Sequence, residues 1–446
     1  MPELHDQQSL ETRPKEVETK TNYTPWTENM LKALITNNES RIKWHTLNDK
    51  IWSTKTLTQS WLNVKSNQGA PGSDRLSIES YDEGIERRIK YLSERLREDT
   101  YQPQAIRRIL IPKTGGGQRP LGIPTVEDRI VQGAVKLVIE PIFESLFHRR
   151  SYGFRAELGA KDGLRRVEEL IRSGYHYAVD VDIKGYFDNI DHNMLLGMVE
   201  QRISDTKLLK LIKQLLKQNI RDGDNEIKVE KGTPQGGVLS PLLSNIYLTP
   251  LDNHLSSRGY EHARYADDIV ILCKTAEEAK QALTEVQNWM KRAKLELHPE
   301  KTKLVDLNNS ETLQFLGYEF KLVTRKNGTL RIIKTPRASS LKKHRDKIRI
   351  LTRRCNKDSL EEIILKCNQC RRGWYEYYKH VHKSVLKAED GWIRRRLRSL
   401  LTKRIKKQGN GLGLANFRWT DIFFELKGLF SFSKQHQLTL QALRAH

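Results

Sequence analysis

The chain has 446 residues, enough for a sizeable core and two or three domains, and its formal net charge is +23 with a pI near 9.7. Such a charge predicts a polyanionic partner, either nucleic acid or an anionic membrane. No apolar run approaches the length of a membrane span, and residues 1–20 lack the apolar stretch of a signal peptide. We therefore expect a nucleic-acid partner, no membrane contact, and a cytoplasmic location of bacterial type, at the nucleoid when bound to DNA.

Four cysteines are too few for a disulfide framework in a chain of this length. Cys367 and Cys370 have zinc-like spacing, but neither a second close pair nor a His pair accompanies them. They also share one face of a predicted helix. This pattern favours free thiols over a metal site.

The N-terminal third begins with a polar segment, residues 1–22, whose lack of large apolar side chains is typical of a disordered tail. Apolar positions from Trp26 to Val64 predict helices. Residues 67–74 predict a loop by their Gly and Pro content, and residues 81–97 predict one charged amphipathic helix. The elements predicted next are a strand over 109–112, a Gly-rich turn over 113–118, a return strand over 119–124, and helices over 127–147 and 161–173.

The centre of the chain mixes strands and helices. Residues 176–183 predict a strand whose apolar positions alternate with Asp180 and Asp182, so that these two acids share one face. Helices are predicted over 240–254 and 276–293. Between them, residues 264–271 predict a tight hairpin with two acids at its tip. The order of these elements predicts a mixed α+β fold.

The two acids of the hairpin are Asp267 and Asp268. Neighbouring carboxylates repel each other, so holding both ionised requires a cation, and aspartate oxygens with water suit Mg²⁺. An isolated pair of this kind is more often a polar turn. Asp182, on the preceding strand, would add a third carboxylate. Carboxylates from two strands that meet at one point are what a two-metal nucleotidyl-transfer site requires.

Two segments carry a specific resemblance. Asp-Ile-Lys-Gly-Tyr-Phe-Asp over 182–188 and Tyr-Ala-Asp-Asp over 265–268 resemble motifs A and C of reverse transcriptases. With the loop over 67–74, the whole ordered set resembles group II intron reverse transcriptases, also called maturases, from about residue 24 to 434. The other segments that match in order are 108–113, 116–124, 151–155, 232–237, 299–302 and 315–318.

The resemblance implies that Asp182, Asp267 and Asp268 are catalytic and ligate two Mg²⁺ ions, with Ile183 as a further ligand and Mn²⁺ as a substitute ion. Asp180 shares the face of Asp182, so spacing alone does not exclude it. Asp182 is preferred because it stands five residues before the motif phenylalanine. We interpret Asp180, like Asp188 further on, as a group for local hydrogen bonding or capping at the strand end.

The resemblance also implies a nucleotide site. Phe187 would lie beneath the incoming sugar and exclude a 2′ hydroxyl, with core packing as the alternative. Lys113 and Arg119 resemble finger residues that bind the triphosphate, with solvated surface cations as the alternative. Gln235 would touch the nucleotide or the template, although loop geometry alone could require its turn. Lys301 is the candidate general acid for the leaving pyrophosphate, against a plain surface role.

Three further segments resemble nucleic-acid contacts. Leu316, Gly317 and Tyr318 resemble a primer grip, with a buried hairpin as the alternative. Arg155 contacts the template backbone or pairs with an acid. Residues 341–407 contain 22 Lys and Arg against seven Asp and Glu and resemble the maturase thumb.

Within that basic module, Arg371, Arg372 and Trp374 are candidates for RNA binding, because aromatic rings can stack on bases while cations neutralise phosphates. Aromatic residues at helical spacing are, however, more often part of a core. The final stretch, residues 419–432, resembles a short DNA-contacting region. Because the chain ends at His446 without paired Cys-x-x-Cys motifs, we expect the endonuclease domain of many relatives to be absent.

The implied architecture is α+β, a right-hand polymerase with fingers, a palm containing an antiparallel sheet, and a helical thumb. The predicted parts are a disordered tail (1–22), an N-terminal extension and the start of the fingers (23–100), fingers (101–175), palm (176–334, with a fingers-type insertion around 192–230), a basic helical thumb (335–408) and a short DNA-binding-like region (409–446).

The implied activity is RNA-directed DNA synthesis from a 3′ hydroxyl primer with dNTPs. The implied partners are the RNA template with its DNA primer, intron RNA for splicing and retrohoming, and target DNA. Two alternatives stay open: an RNA-binding splicing factor with an idle polymerase site, and a domesticated reverse transcriptase in host defence or repair. The oligomeric state is not predicted.

Overall fold

A computed structural model describes residues 25–26, 30, 43–112, 117–406 and 411–445. The predicted tail over 1–22 and Lys113 lie outside the described residues. Within the described ranges, every helix is either too short or too polar to span a bilayer. The chain has the α+β class that its sequence predicts, and strands are interspersed with helices from Ile106 to Pro336.

Eleven strands are present in the described part of the chain. They are β1 (Ile106–Pro112), β2 (Gln118–Ile123), β3 (Tyr177–Asp182), β4 (Ile220–Asp222), β5 (Asn225–Ile227), β6 (Glu261–Tyr265), β7 (Asp268–Cys273), β8 (Lys303–Asp306), β9 (Thr312–Phe315), β10 (Tyr318–Thr324) and β11 (Leu330–Pro336).

The helices of the first half are α1 (Asn48–Trp52), α2 (Thr54–Ser66), α3 (Ile78–Asp82), α4 (Ile85–Arg97), α5 (Val126–Glu144), α6 (Ala160–Arg172), α7 (Tyr186–Asn189), α8 (His192–Glu200) and α9 (Thr206–Leu216). Those of the second half are α10 (Ser240–Ser257), α11 (Ala276–Arg292), α12 (Ala338–Leu351), α13 (Leu360–Tyr378), α14 (Lys383–Arg404), α15 (Leu414–Arg418), α16 (Asp421–Leu426) and α17 (Phe432–Ala445).

The strands form three sheets, in the orders β2-β1-β4-β5, β6-β7-β3-β8 and β11-β10-β9. The second of these, the palm sheet, is antiparallel throughout. In the first sheet, called the fingers sheet, β1 pairs antiparallel with β2 and parallel with β4. Strand β4 lies in sequence between β3 and β6 of the palm sheet, so the chain returns to the fingers sheet between these two palm strands.

Both faces of the palm sheet are buried, because successive side chains of a strand point to opposite sides. Val179 and Val181 of β3 lie in the larger core together with Ile269 and Ile271 of β7. Ala178, Val270 and Leu272 lie in a second core on the other face. Near the β6–β7 turn, this second face carries the acids Asp180, Asp182 and Asp268 in place of apolar side chains.

One predicted helix is wrong in its first part. Residues 81–97 do not form a single helix, because α3 ends at Asp82 and α4 begins at Ile85. Gly84 between them has φ of 71°, a left-handed conformation that glycine adopts without the steric cost of a Cβ. The helices predicted over 127–147, 161–173, 240–254 and 276–293 are present, with ends that differ by up to three residues.

The basic module beyond residue 337 is helical, as predicted. Helices α12, α13 and α14 pack with the C-terminal segment around a third core that includes Ile348, Ile363, Ile393 and Phe424. Its charged side chains therefore divide between a buried inner side and an exposed outer side.

Candidate active site

The predicted catalytic acids lie on adjacent strands of the palm sheet. Asp182 ends β3, Asp268 begins β7, and the two are register partners across the antiparallel pair. Directly opposed residues of such a pair have Cβ atoms about 4.5–5.5 Å apart. Asp267 lies at the tip of the β6–β7 turn, and all three side chains line one cavity of about 420 Å³. The backbone thus brings positions 182, 267 and 268 together.

Asp180 lines the same cavity and is 9% exposed. It lies within β3 rather than at the end of the strand, so the capping interpretation does not describe it. Burial raises the pKa of Asp180 to about 6. With Asp180 and Glu300, five carboxyl groups line the cavity.

The pKa values of Asp267 and Asp268 are raised, as is that of Asp180, because their surroundings disfavour the charged forms. Burial raises the pKa of Asp268 to about 7, and the charges of Asp180 and Asp267 act in the same direction. Burial together with the charge of Asp182 raises the pKa of Asp267. Lys301, Lys303 and Arg337 also line the cavity, and Arg337 opposes the rise for Asp268, but burial prevails.

The donor set fits a hard divalent cation, which prefers carboxylate oxygens. As the side chains lie, no three His, Cys, Asp or Glu groups within the described ranges stand close enough together to hold one ion. The three aspartates share a cavity without converging on one point, as expected for groups of like charge. Asp182, Asp267 and Asp268 would be the ligands. Ile183, predicted as a further ligand, lines the cavity beside them.

A buried arginine, which the sequence reasoning missed, supports the acidic hairpin. Arg264 of β6 is fully buried and donates from Nε and Nη2 to the carboxylate of Asp252, at 2.9 and 2.6 Å. Its Nη1 donates to Asn245 Oδ1 at 2.9 Å and to the carbonyl of Ala266 at 3.1 Å. Ala266 has φ of 58°, an uncommon conformation for a residue with a Cβ, and this bond holds it there.

The segment Ser151–Arg155 packs directly against the same hairpin. The amide of Tyr152 donates to the carbonyl of Arg264 at 2.8 Å, and Asn245 Nδ2 donates to the carbonyl of Gly153 at 2.8 Å. A Cβ added at Gly153 would lie 2.4 Å from the amide nitrogen of Ala266. Glycine is required here by this close approach of two backbones.

Arg119 and Gln235, both predicted to contact the nucleotide, contact each other. Arg119 Nε donates to Gln235 Oε1 at 2.6 Å, and the Gly122 amide donates to the Gln235 carbonyl at 2.8 Å. The fingers strand β2 is thereby joined to the loop before α10. Lys113, their predicted companion, lies outside the described residues.

Phe187 is 8% exposed and packs in the larger core, edge to face with Tyr186 at a centroid distance of 5.3 Å. Its carbonyl accepts a hydrogen bond from the amide of Thr233 at 2.7 Å. Core packing, the alternative interpretation, therefore describes much of its surroundings. Its role in sugar selection stays a prediction.

Lys301 lies beside the acids. Its Nζ is 3.5 Å from Asp182 Oδ2, and it lines the cavity while its side chain remains 60% exposed. The next residue, Thr302, bonds the backbone of Asp182 through its hydroxyl at 3.2 Å. A general acid would need this position, close to the metal ligands and open to solvent.

The predicted primer grip is a two-residue hairpin turn between β9 and β10. Leu316 and Gly317 have φ of 48° and 76°, the pattern of a type I′ turn. The amide of Leu316 donates to Asp268 Oδ2 at 3.3 Å, so the turn contacts a predicted metal ligand. The side chain of Tyr318 is 1% exposed and its hydroxyl donates to the carbonyl of Tyr377, so this ring lies in the core, the alternative considered for it. Primer contact by Leu316 and Gly317 stays a prediction.

The RNA-binding prediction for Arg371 is wrong. Its side chain is fully buried, pairs with Asp390 and lies over the ring of Phe432 at 3.9 Å. Trp374 stacks on His344 and Phe432 at centroid distances of 5.0 and 5.2 Å, so it belongs to a core, the alternative considered for it. Both residues lie on the inner face of α13, which helical spacing alone does not identify.

The other two residues predicted to contact nucleic acid, Arg155 and Arg372, lie in different surroundings. Arg155 donates to Glu144 at 2.7 Å and to the carbonyls of His148 and Ser151, so it pairs with an acid and does not face a template. Arg372 is exposed, over the ring of Phe430 at 4.7 Å, and stays a candidate for phosphate contact.

Comparisons with known proteins identify the family of this chain. The family model for reverse transcriptase (RNA-dependent DNA polymerase) matches residues 111–320, and the model for the group II intron maturase-specific domain matches residues 341–416. Protein YkfC of Escherichia coli is 32% identical over 311 residues, which cover 60% of this chain and 81% of that protein. The chain therefore belongs to the reverse transcriptases and, within them, to the group II intron type.

Two further relatives are named for introns. Group II intron-encoded protein LtrA of Lactococcus lactis is 30% identical over 333 residues, 60% of this chain and 55% of that protein. The putative COX1/OXI3 intron 2 protein of Saccharomyces cerevisiae is 27% identical over 380 residues, 71% of this chain and 43% of that protein. The chain thus spans about half the length of these intron-encoded relatives.

Proposed function

We propose that this protein is an RNA-directed DNA polymerase of the group II intron type, which extends a 3′ hydroxyl primer with dNTPs on an RNA template. The observation that carries the proposal is the register of Asp182 opposite Asp268, with Asp267 in the same cavity. Family membership supports it through the matched reverse transcriptase domain.

The reaction assigns a task to each side chain of the site. Bound Mg²⁺, for which Mn²⁺ can substitute, supplies activation of the primer hydroxyl and neutralises charge on the leaving pyrophosphate. Asp182, Asp267 and Asp268 hold the metal. Arg119 exchanges its bond to Gln235 for phosphate oxygens, which are stronger acceptors because they are charged.

Two residues complete the site in this proposal. Lys301 delivers a proton to the pyrophosphate as it departs, from a position 3.5 Å from Asp182 Oδ2. Phe187 places its ring where a 2′ hydroxyl would collide, and so selects deoxynucleotides.

The second part of the proposal concerns RNA. We infer that the basic module binds intron RNA, assists its splicing and supports retrohoming to target DNA. Support comes from the maturase-specific domain at 341–416 and from exposed cations on one helix, namely Lys342, Lys343, Lys347 and Arg349 of α12. Such side chains neutralise phosphates, and binding should weaken as salt rises.

Primer extension tests the proposal. A DNA primer on an RNA template should be extended with dNTPs in Mg²⁺, and not in EDTA. The double variant Asp267→Ala, Asp268→Ala should lose extension, while Asp224→Ala, which removes an exposed acid of the β4–β5 turn, should retain it.

The same proteins separate the two parts of the proposal. If the double variant loses extension but still promotes splicing of a group II intron RNA, both functions belong to this chain. Absence of extension by the wild type, together with retained splicing, would instead identify an RNA-binding splicing factor and refute the polymerase assignment.

A further inference from the structure

We propose that Tyr377, on the thumb helix α13, is a positioning residue that orients the carboxylate of Asp268 through the backbone of Leu316. The inference rests on the proposed metal-binding role of Asp268. It assigns to the thumb a part in metal binding as well as its contact with nucleic acid.

The connection consists of two hydrogen bonds on one residue. Tyr377 Oη donates to the carbonyl of Leu316 at 2.8 Å, and the amide of Leu316 donates to Asp268 Oδ2 at 3.3 Å. Leu316 therefore links a side chain 61 positions further along the sequence with a predicted metal ligand. A shift of the Leu316 backbone would change which direction that carboxylate faces.

The turn needs this external support. Leu316 has φ of 48°, and a residue with a Cβ pays roughly 1 kcal/mol or more for the left-handed conformation. Two other bonds hold the following residue: the Arg337 amide donates to the Gly317 carbonyl at 2.8 Å, and Tyr378 Oη donates to the same carbonyl at 3.4 Å. Only the bond from Tyr377, among these three, is made to Leu316, the residue whose amide donates to Asp268.

The side chain of Tyr377 is less enclosed than that of its neighbour, so it has room to move. The residue is 37% exposed, whereas its neighbour Tyr378 is 8% exposed and packs on Trp374 at 4.8 Å. Helix α13 belongs to the basic module proposed to bind RNA, and its Tyr378 shares the second core with Tyr318 of β10, so the helix itself is packed on the palm. The part that can move is the side chain of Tyr377. While its hydroxyl bonds the Leu316 carbonyl the turn is fixed, and rotation of the ring away from the turn frees the Leu316 peptide and with it the carboxylate.

Hydroxyl deletion tests the inference without removing the ring. Tyr377→Phe loses the bond to Leu316, and Tyr378→Phe is the matched control, since it loses a hydroxyl from the adjacent position that contacts Gly317 instead. Thermal unfolding checks that both variants fold. The first readout is hydrogen exchange of the Leu316 amide without metal, which should become faster in Tyr377→Phe and remain unchanged in Tyr378→Phe.

The second readout is Mn²⁺ affinity, measured by electron paramagnetic resonance on complexes with a dideoxy-terminated primer, an RNA template and dNTP, in which no turnover occurs. Loss of one neutral hydrogen bond should weaken Mn²⁺ binding about two- to tenfold in Tyr377→Phe. The Kd for primer–template in EDTA should stay within about twofold of wild type, because the ring is retained.

Three results would overturn the inference: unchanged amide exchange and Mn²⁺ affinity in Tyr377→Phe, equal losses in Tyr378→Phe, or weaker primer–template binding with unchanged Mn²⁺ affinity. The Asp268→Ala variant separates this outcome from the proposed function. If that variant retains Mn²⁺ binding and primer extension, the metal-binding role of Asp268 itself fails.

Discussion

Asp182 and Asp268 face each other at one end of the β3–β7 ladder, and two residues further along each strand Asp180 faces Val270. The acids thus stand where a buried apolar face begins. The carboxyl groups of Asp180, Asp267 and Asp268 are desolvated by the same packing that fixes their positions, and burial is the main cause of their raised pKa values.

Divalent metal should stabilise the folded protein through these acids. At a Mg²⁺ concentration ten times its Kd, the free energy of unfolding should rise by about 1.4 kcal/mol in the wild type. The Asp267→Asn, Asp268→Asn variant should gain little, whereas Asp224→Asn should match the wild type. Differential scanning fluorimetry across a Mg²⁺ series measures this. Equal stabilisation of all three proteins would place the metal elsewhere.

The buried pair of Arg264 and Asp252 should stabilise the folded protein and should also hold the acidic hairpin in its active conformation. Arg264→Met leaves a buried carboxylate unpaired and should cost about 3–5 kcal/mol in the free energy of unfolding. The double variant Arg264→Met, Asp252→Leu should recover part of that stability, since Asn245 Oδ1 and the Ala266 carbonyl remain without their donor. It should not recover primer extension, because the Ala266 carbonyl still lacks its donor. Urea denaturation and extension assays compare the three proteins, and full activity in the double variant would contradict the supporting role.

Arg119 should bind the dNTP triphosphate less readily when residue 235, its hydrogen-bond partner, is negatively charged. The 2.6 Å bond already has a charged donor, and Gln235→Glu gives it a charged acceptor as well, so that a stronger ion pair holds Arg119. The KM for dNTP should therefore rise about tenfold, and high salt should reduce the effect. Gln102→Glu adds the same charge at an exposed site away from Arg119 and serves as control. An unchanged KM in Gln235→Glu would show that Arg119 does not bind the triphosphate.

Phe187→Ala should admit ribonucleotides. The preference for dNTP over rNTP, expressed as a ratio of kcat/KM values, should fall by about tenfold or more. Because Phe187 packs in the larger core, the variant should also lose about 3–5 kcal/mol of stability. Phe187→Tyr keeps the bulk of the ring and should keep the preference. Unchanged sugar discrimination in Phe187→Ala would refute this role and leave only core packing.

The stability of the thumb should depend on pH through His344. Burial lowers the pKa of His344 to about 3, helped by the charges of Arg371, Arg345 and Lys347. Because the folded state binds this proton less tightly than the unfolded state, its stability contribution is complete above about pH 6.5 and is lost as the pH falls towards 3.

His344→Phe keeps a ring against Trp374 but removes the titration. Relative to this variant, the wild type should lose about 1.4 kcal/mol of unfolding free energy between pH 7.5 and pH 5.5. Urea denaturation at several pH values measures the difference, with the exposed His45→Phe as control. A constant difference between wild type and His344→Phe would contradict the assignment.

The sequence predicts well what depends on short-range pattern. Alternation along β3 and the two acids of the β6–β7 turn follow from neighbouring residues, and their strands and the shared cavity are found in the structure. The helix break at Gly84 is also local, although the prediction over 81–97 ignored it.

Contacts between distant segments were not predictable in this way. Arg371 and Arg372 are adjacent and chemically alike, yet one is fully buried against Asp390 and the other is exposed. Which side of a basic amphipathic helix faces inward depends on what packs on it. The same holds for the Tyr377 hydroxyl and the Arg264 guanidinium, whose partners are fixed only once the palm sheet and α13 are assembled.

The close contact between Gly153 and the Ala266 amide leaves no room for even one methyl group. Any of the other nineteen residues at position 153 would have to push the aspartate hairpin away from its register with β3. A library randomised across residues 151–155 should therefore return active clones with a single residue type at its centre, while its flanking positions vary.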